Sequence, residues 1–321
     1  YMIEQEIAKN PWIEEQEIRE PVFIIGMPRT GTSIMHATMH EDPAHRSPMA
    51  WECLLPYPAA THETFNDNPQ LRTIEKEFSQ LFKLVPDFKR KHYMEADAPQ
   101  ECLGITALDF NSFMFSTQLY MPSYMKWFLD KSDMLGTMRF HKRFLQYLQS
   151  GGVKAERWLL KTPVHLRRLP ELFEVYPDAK IIMTHRGPAD IVTSTASLIS
   201  SVRTLYSDRE DPKMTGMEQA SLWSEYFKRF IESRSQLGKE DQFIDIKFED
   251  FVADQVGVIS EIYERYGWDL PKSTVKKFKD FLRRNPKDKY GKHLYSIDTF
   301  GLKEEEPNEQ FSSYLEFYKT L

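Results

Sequence analysis

A short apolar run that ends in a glycine-bracketed loop constrains this chain more than any other feature. Pro21-Val-Phe-Ile-Ile-Gly26 leads into Met27-Pro-Arg-Thr-Gly31, and Thr32 and Ser33 open the segment that follows. An unbroken apolar run of this length reads as a strand buried on both faces, the usual condition of a parallel sheet. Residues 32–40 read as a helix, with Thr30 or Thr32 available as its cap. The glycines follow the spacing G-x-x-x-x-G. Such a loop turns successive backbone N–H groups toward one point, and the helix N-terminus adds its positive end. It reads as an anion cradle; the competing reading is a plain strand-to-helix turn.

The same strand-then-helix pattern recurs. Residues 157–162 and 179–185 form apolar strands, each followed by a helix, over 165–176 (despite Pro170) and 189–205. A fourth strand is expected over 242–248. Alternation of this kind argues for an α/β fold, a P-loop-like parallel sheet with right-handed crossovers and helices on both faces. Residues 1–20 are polar and acidic and read as an arm, and 21–321 as a single domain. Residues 61–150 interrupt the pattern as a helical insertion rich in Phe, Met and Trp. Most of these side chains read as helical core, and some as walls of a pocket for an apolar acceptor. Residues 217–237, 273–284 and 308–321 read as packing helices.

Composition narrows the partners. A net charge of −6 provides no basic field for nucleic acid or an anionic membrane, so a phosphate-bearing ligand needs a local group of cations. No apolar run is long enough to span a bilayer, and the first residues do not read as a signal peptide. Cys53 and Cys102 are the only cysteines, without metal-ligand spacing; they suit a reducing compartment and a cytoplasmic location.

The loop lacks the lysine that a nucleotide triphosphatase carries after the second glycine, because Thr32 stands there; its cation is Arg29. The third strand ends in His185-Arg186, where a magnesium-binding acid would stand. A donor held by Arg and Lys without a metal fits better than ATP with magnesium. The rivals are a P-loop kinase and a non-catalytic nucleotide-binding module, the latter favoured if Glu52 and Lys161 point away from the loop. Arg186 ends its strand and Ser194 lies eight residues on, in the early turns of the next helix. A guanidinium fork and a hydroxyl there suit a second phosphate.

With both junctions in view, the sequence resembles the sulfotransferases that use PAPS (3'-phosphoadenosine-5'-phosphosulfate), from about Pro21 to the C-terminus. Pro28-Arg-Thr-Gly-Thr-Ser33 is similar to their 5'-phosphosulfate signature, and Arg186 with Ser194 to their 3'-phosphate signature. Trp51-Glu52, Leu160-Lys-Thr-Pro163, Lys247-Phe-Glu-Asp250 and Phe300-Gly-Leu302 match further. The branch it looks most like is the bacterial one related to tyrosylprotein sulfotransferases. The resemblance implies sulfonate transfer from PAPS, leaving PAP, to a hydroxyl of a small, largely apolar molecule.

It also implies roles. Arg29 and Lys161 supply positive charge to the transferring group, with Thr30, Gly31, Thr32 and Ser33 around the phosphosulfate. Lys161 otherwise reads as a solvated strand end. Glu52 is the expected general base. His165 is the rival, since Lys161-Thr-Pro-Val-His-Leu166 resembles the Lys-x-His-Leu setting of cytosolic relatives with two extra residues. Phe248 replaces a tyrosine that faces adenosine in relatives, which keeps stacking but loses a hydroxyl. Lys292 and His293 are expected to close over the 3'-phosphate or else form a solvated basic turn; His36 and His185 read as structural.

Overall fold

The computed structural model describes residues 1–84, 94–286, 296–303 and 309–321. Lys292 and His293 lie outside the described residues. The fold is a parallel sheet of five strands: β1 (Val22–Gly26), β2 (His45–Arg46), β3 (Arg157–Lys161), β4 (Lys180–His185) and β5 (Phe243–Lys247). Their spatial order is β2-β3-β1-β4-β5, with every pair parallel. The two-residue strand β2 is too short to leave a periodic signal, and pairing with β3 defines it.

Side chains alternate across the sheet, and both faces are covered. Phe23 and Ile25 of β1 join one apolar cluster with Leu160, Ile181 and Met183. Helices Leu169–Val175, Pro188–Arg203 and Pro212–Leu237 cover that face through residues such as Leu172, Val192 and Trp223. Val22 and Ile24 point the other way, into a second cluster with Met35, Met39, Ile259 and Phe278. Those residues come from helices Thr32–His40, Gln255–Tyr266 and Lys272–Arg284. Burial on both faces explains why the strands read as continuous apolar runs. Each such side chain contributes about 1.5–3 kcal/mol.

The 1–20 segment packs more closely than its polarity suggests. Ile3, Ile7, Ile13 and Ile18 are buried in the main core. Gln146 donates hydrogen bonds to the carbonyls of Glu14 and Gln16 at 2.6 and 2.8 Å. Residues 61–150 carry five described helices: Pro69–Leu84, Cys102–Ala107, Met114–Gln118, Pro122–Asp130 and Met134–Ser150.

Two local expectations change. The helix over 165–176 is broken into a 3-10 turn, Pro163–Arg167, and a helix Leu169–Val175. Pro170 lacks an N–H and sits in the first turn of the second piece, where that N–H would have no helical partner. The helix Thr32–His40 is capped by Gly31, not by Thr30 or Thr32. No described helix is long and apolar enough to cross a membrane.

Candidate active site

Strands β1 and β4 are direct neighbours, with Gly26 opposite Thr184, so their following loops leave the sheet side by side. Two glycines shape the first loop. Gly26 has φ 148°, and a Cβ there would stand 2.6 Å from the Thr184 carbonyl oxygen. Gly31 has φ 86° and would push a Cβ to 3.1 Å from the Phe251 ring. As N-cap, Gly31 offers no side chain to the first-turn amides, so those donors remain available to an anion. Arg29 also has a positive φ, 71°.

The two junctions meet through their cations. Arg29 Nε donates to Ser194 Oγ at 3.1 Å, and Arg186 Nη1 donates to the Arg29 carbonyl at 3.1 Å. The Arg186 guanidinium lies over the Phe248 ring, 4.5 Å from its centroid, and Nη2 pairs with Asp190 at 3.1 Å. Phe248 opens the helix after β5 rather than ending the strand. Arg29, Arg186, Ser194 and Phe248, far apart in sequence, therefore share one corner. Thr30 differs: its hydroxyl donates to the Met27 carbonyl at 2.7 Å and meets Thr184 Oγ1 at 2.6 Å. Only its backbone can serve a ligand. Thr32 is buried at the start of its helix, next to Ser33.

Lys161, at the end of β3, points into this loop. Its Nζ donates to Ser33 Oγ at 3.2 Å and forms an ion pair with Glu101. The lysine is buried, not solvated.

The two residues expected to compete as base are both buried. Glu52 is 1% exposed, and both its oxygens bond Arg46, at 2.6 and 2.9 Å. The Met49 backbone N–H donates to the same carboxylate at 3.0 Å. Arg46 is itself held between Phe65 and Trp158, 4.8 Å from each ring centroid. This carboxylate is placed as the counter-ion of Arg46. His165 is buried behind β1, edge-on to Phe23 at 5.4 Å, and neither ring nitrogen has a hydrogen-bond partner. Burial drives its pKa down to about 3. One of its ring nitrogens, one of His141 and the Cys102 sulfur lie within 4.8 Å of one another. Burial also lowers His141 to about 3 and raises the Cys102 thiol to about 12.

His36 and His185 occupy structural positions. His36 Nε2 meets Ser47 Oγ and the Leu159 carbonyl at 3.2 and 3.1 Å. His185 Nε2 bonds Asp245 at 2.8 Å.

The helical insertion divides between core and surface. Phe113, Met125 and Phe128 are buried core, whereas Phe110 and Trp127 are exposed. Phe78, Phe82 and Met94 line a hollow of about 520 Å³ shared with Glu75, Lys83 and Asp97. Glu101 was absent from the sequence-level candidates. The one signal it carries is an acid immediately before an apolar helical stretch, which reads as a helix start and nothing more.

Comparison with known proteins agrees with this geometry. The sulfotransferase family model matches residues 21–272. Over 269 residues the chain is 24% identical to omega-hydroxy-beta-dihydromenaquinone-9 sulfotransferase Stf3 of Mycobacterium bovis, covering 82% of this chain and 67% of that protein. Among solved structures it is similar to sulfotransferase STF9 from Mycobacterium avium, with TM-score 0.88 and 28% identity over 98% of this chain and 81% of that one. Sulfotransferase STF1 from Mycobacterium tuberculosis gives TM-score 0.84 and 28% identity, over 97% and 81%. The strand-to-helix loops that bring Arg29 and Arg186 together, and Lys161 at the end of β3, thus sit inside a matched region covering most of the chain, and this protein belongs to the sulfotransferase family.

Proposed function

We propose that the protein moves a sulfonate group from PAPS to a hydroxyl of a small, largely apolar acceptor, by in-line transfer that needs no metal. The observation that carries this reading is the meeting of the two junctions, Arg29 Nε on Ser194 Oγ and Arg186 on the Arg29 carbonyl. PAPS presents two anionic groups at opposite ends of one nucleoside, and two adjoining cation sites suit it. The open first turn of Thr32–His40, with Arg29 and Lys161, holds the 5'-phosphosulfate through Gly31, Thr32, Ser33 and the Thr30 backbone. Arg186 and Ser194 hold the 3'-phosphate, and Phe248 stacks near the adenosine.

The chemistry requires positive charge where negative charge grows, on the sulfonate oxygens and on the bridging oxygen that leaves with the phosphate. Lys161 and Arg29 occupy that role. Threonine in place of lysine after Gly31 and the cation at the end of β4 argue against a magnesium-bound triphosphate. Lys161 faces the phosphate loop, which favours an enzyme over a binding module that has merely kept the fold.

An apolar acceptor is supported by the relative Stf3, whose name gives a hydroxylated dihydromenaquinone as its acceptor. A cytoplasmic location fits the two free buried cysteines. The test is transfer of labelled sulfonate from PAPS to a panel of lipophilic alcohols and phenols with EDTA present. Product on at least one hydroxyl is expected. Transfer that requires added magnesium, or phosphate transfer from ATP instead, would contradict the reading.

A further inference from the structure

We propose that Glu101 is the base that takes the proton from the acceptor hydroxyl. This rests on the sulfonate-transfer reading above and adds the residue that starts the reaction. Glu101 stands immediately before the helix Cys102–Ala107, and its Oε1 pairs with Lys161 Nζ. The same ammonium reaches Ser33 Oγ at 3.2 Å, in the first turn after the phosphate loop. One side chain therefore spans the distance between this carboxylate and the cradle. An acceptor hydroxyl resting on Glu101 would lie beside the lysine that reaches the cradle, the proximity that transfer needs.

The segment is firmly held. Met49 and Pro99 form a β-bridge, the Gln100 N–H donates to the Pro48 carbonyl at 2.8 Å, and the Glu101 N–H donates to Gln100 Oε1 at 2.8 Å. The Glu101 side chain keeps 20% of its surface exposed against 5% for Lys161, so a substrate can approach it.

Three other acids near the junctions are differently engaged. Glu52 is closed off by Arg46. Asp245 bonds His185 and Arg234. Asp190 pairs with Arg186, the cation assigned to the phosphate that does not react.

The step balances. The acceptor O–H bond breaks and its proton goes to Glu101. The acceptor oxygen forms a bond to sulfur as the bond from sulfur to the 5'-phosphate oxygen breaks. PAP leaves with that electron pair, next to Lys161. Glu101 then returns its proton to water.

Glu101→Gln tests this in the full-length protein. PAP affinity, measured by calorimetry, should be unchanged or tighter, because a negative charge beside an anion site is removed. With an aliphatic alcohol acceptor kcat should fall by about 10²–10⁴. With a nitrophenol, which surrenders its proton easily, the loss should be at least tenfold smaller. That dependence on acceptor acidity separates a base from a residue that only positions Lys161. An equal loss on both acceptors, or a kcat within about threefold of wild type on the alcohol, overturns the assignment. If the unmutated protein neither binds PAP nor transfers sulfonate, the sulfotransferase reading of the site fails before the variant is compared.

Discussion

Glu52 and Glu101 sit on adjoining segments, linked by the Met49–Pro99 bridge, yet they inhabit different chemistry. Around Glu52 everything is closed: Arg46 occupies both carboxylate oxygens, Phe65 and Trp158 flank the arginine, and 1% of the glutamate is exposed. Around Glu101 the partner is a lysine that also reaches the phosphate loop, and a fifth of the side chain stays accessible. Both acids face a cation. Number of partners and access, not nearness in sequence to a familiar motif, separate an internal ion pair from a working carboxylate.

The comparison breaks most visibly at Glu52. Removing one partner of a buried ion pair leaves the other charge uncompensated, at a cost of about 3–5 kcal/mol. Glu52→Gln should therefore lower the free energy of unfolding in urea by about that much, while folded molecules keep PAP affinity. A variant as stable as wild type that has lost turnover would return Glu52 to the reaction.

Lys161 sharpens the other side. Lys161→Ala removes the link between Glu101 and Ser33 along with charge on the transferring group. Turnover at saturating PAPS is expected to fall by about 10²–10³, the range for losing one preorganised donor to a developing oxyanion. Retained turnover would mean that the lysine serves only the fold.

Asp245 supplies a third carboxylate for contrast, away from catalysis. Burial pushes its pKa upward, but hydrogen bonds from His185 and Arg234 outweigh this and hold it at about 2, against an ordinary 3.8. A carboxyl depressed on folding stabilises the protein above its unfolded pKa, and that contribution disappears as pH falls through the folded value. The difference corresponds to about 2 kcal/mol, lost between roughly pH 4 and pH 2. Urea midpoints taken across that window should drop more for wild type than for Asp245→Asn. Parallel curves would show that the cluster contributes nothing to acid stability.

The two strand-to-helix junctions were legible in the sequence because each is local. Gly26 to Ser33 and Arg186 to Ser194 each lie within one strand-to-helix junction, where spacing translates directly into placement. The sheet read correctly for the same reason, except β2, which only its pairing defines. The ion pairs of Glu101 and Glu52 depend on tertiary packing. Nothing in Pro99-Gln-Glu-Cys102 announces that Lys161 lies against Glu101, sixty residues away. Arg46 and Glu52 are six residues apart, but no periodicity predicts that the fold closes over both. His165 was displaced for a local reason: Pro163 and Pro170 divide its segment into a 3-10 turn and a short helix, and its ring ends behind β1.

The two junctions are expected to act together on one doubly anionic nucleotide, and calorimetry of PAP in EDTA measures this most directly. Wild type should bind PAP without metal. Arg186→Ala should weaken it by about ten- to a hundredfold, the worth of a charged hydrogen bond, with turnover at saturating PAPS little changed. Tight binding of ATP with magnesium and no response to PAP, or PAP affinity indifferent to Arg186, would contradict the account.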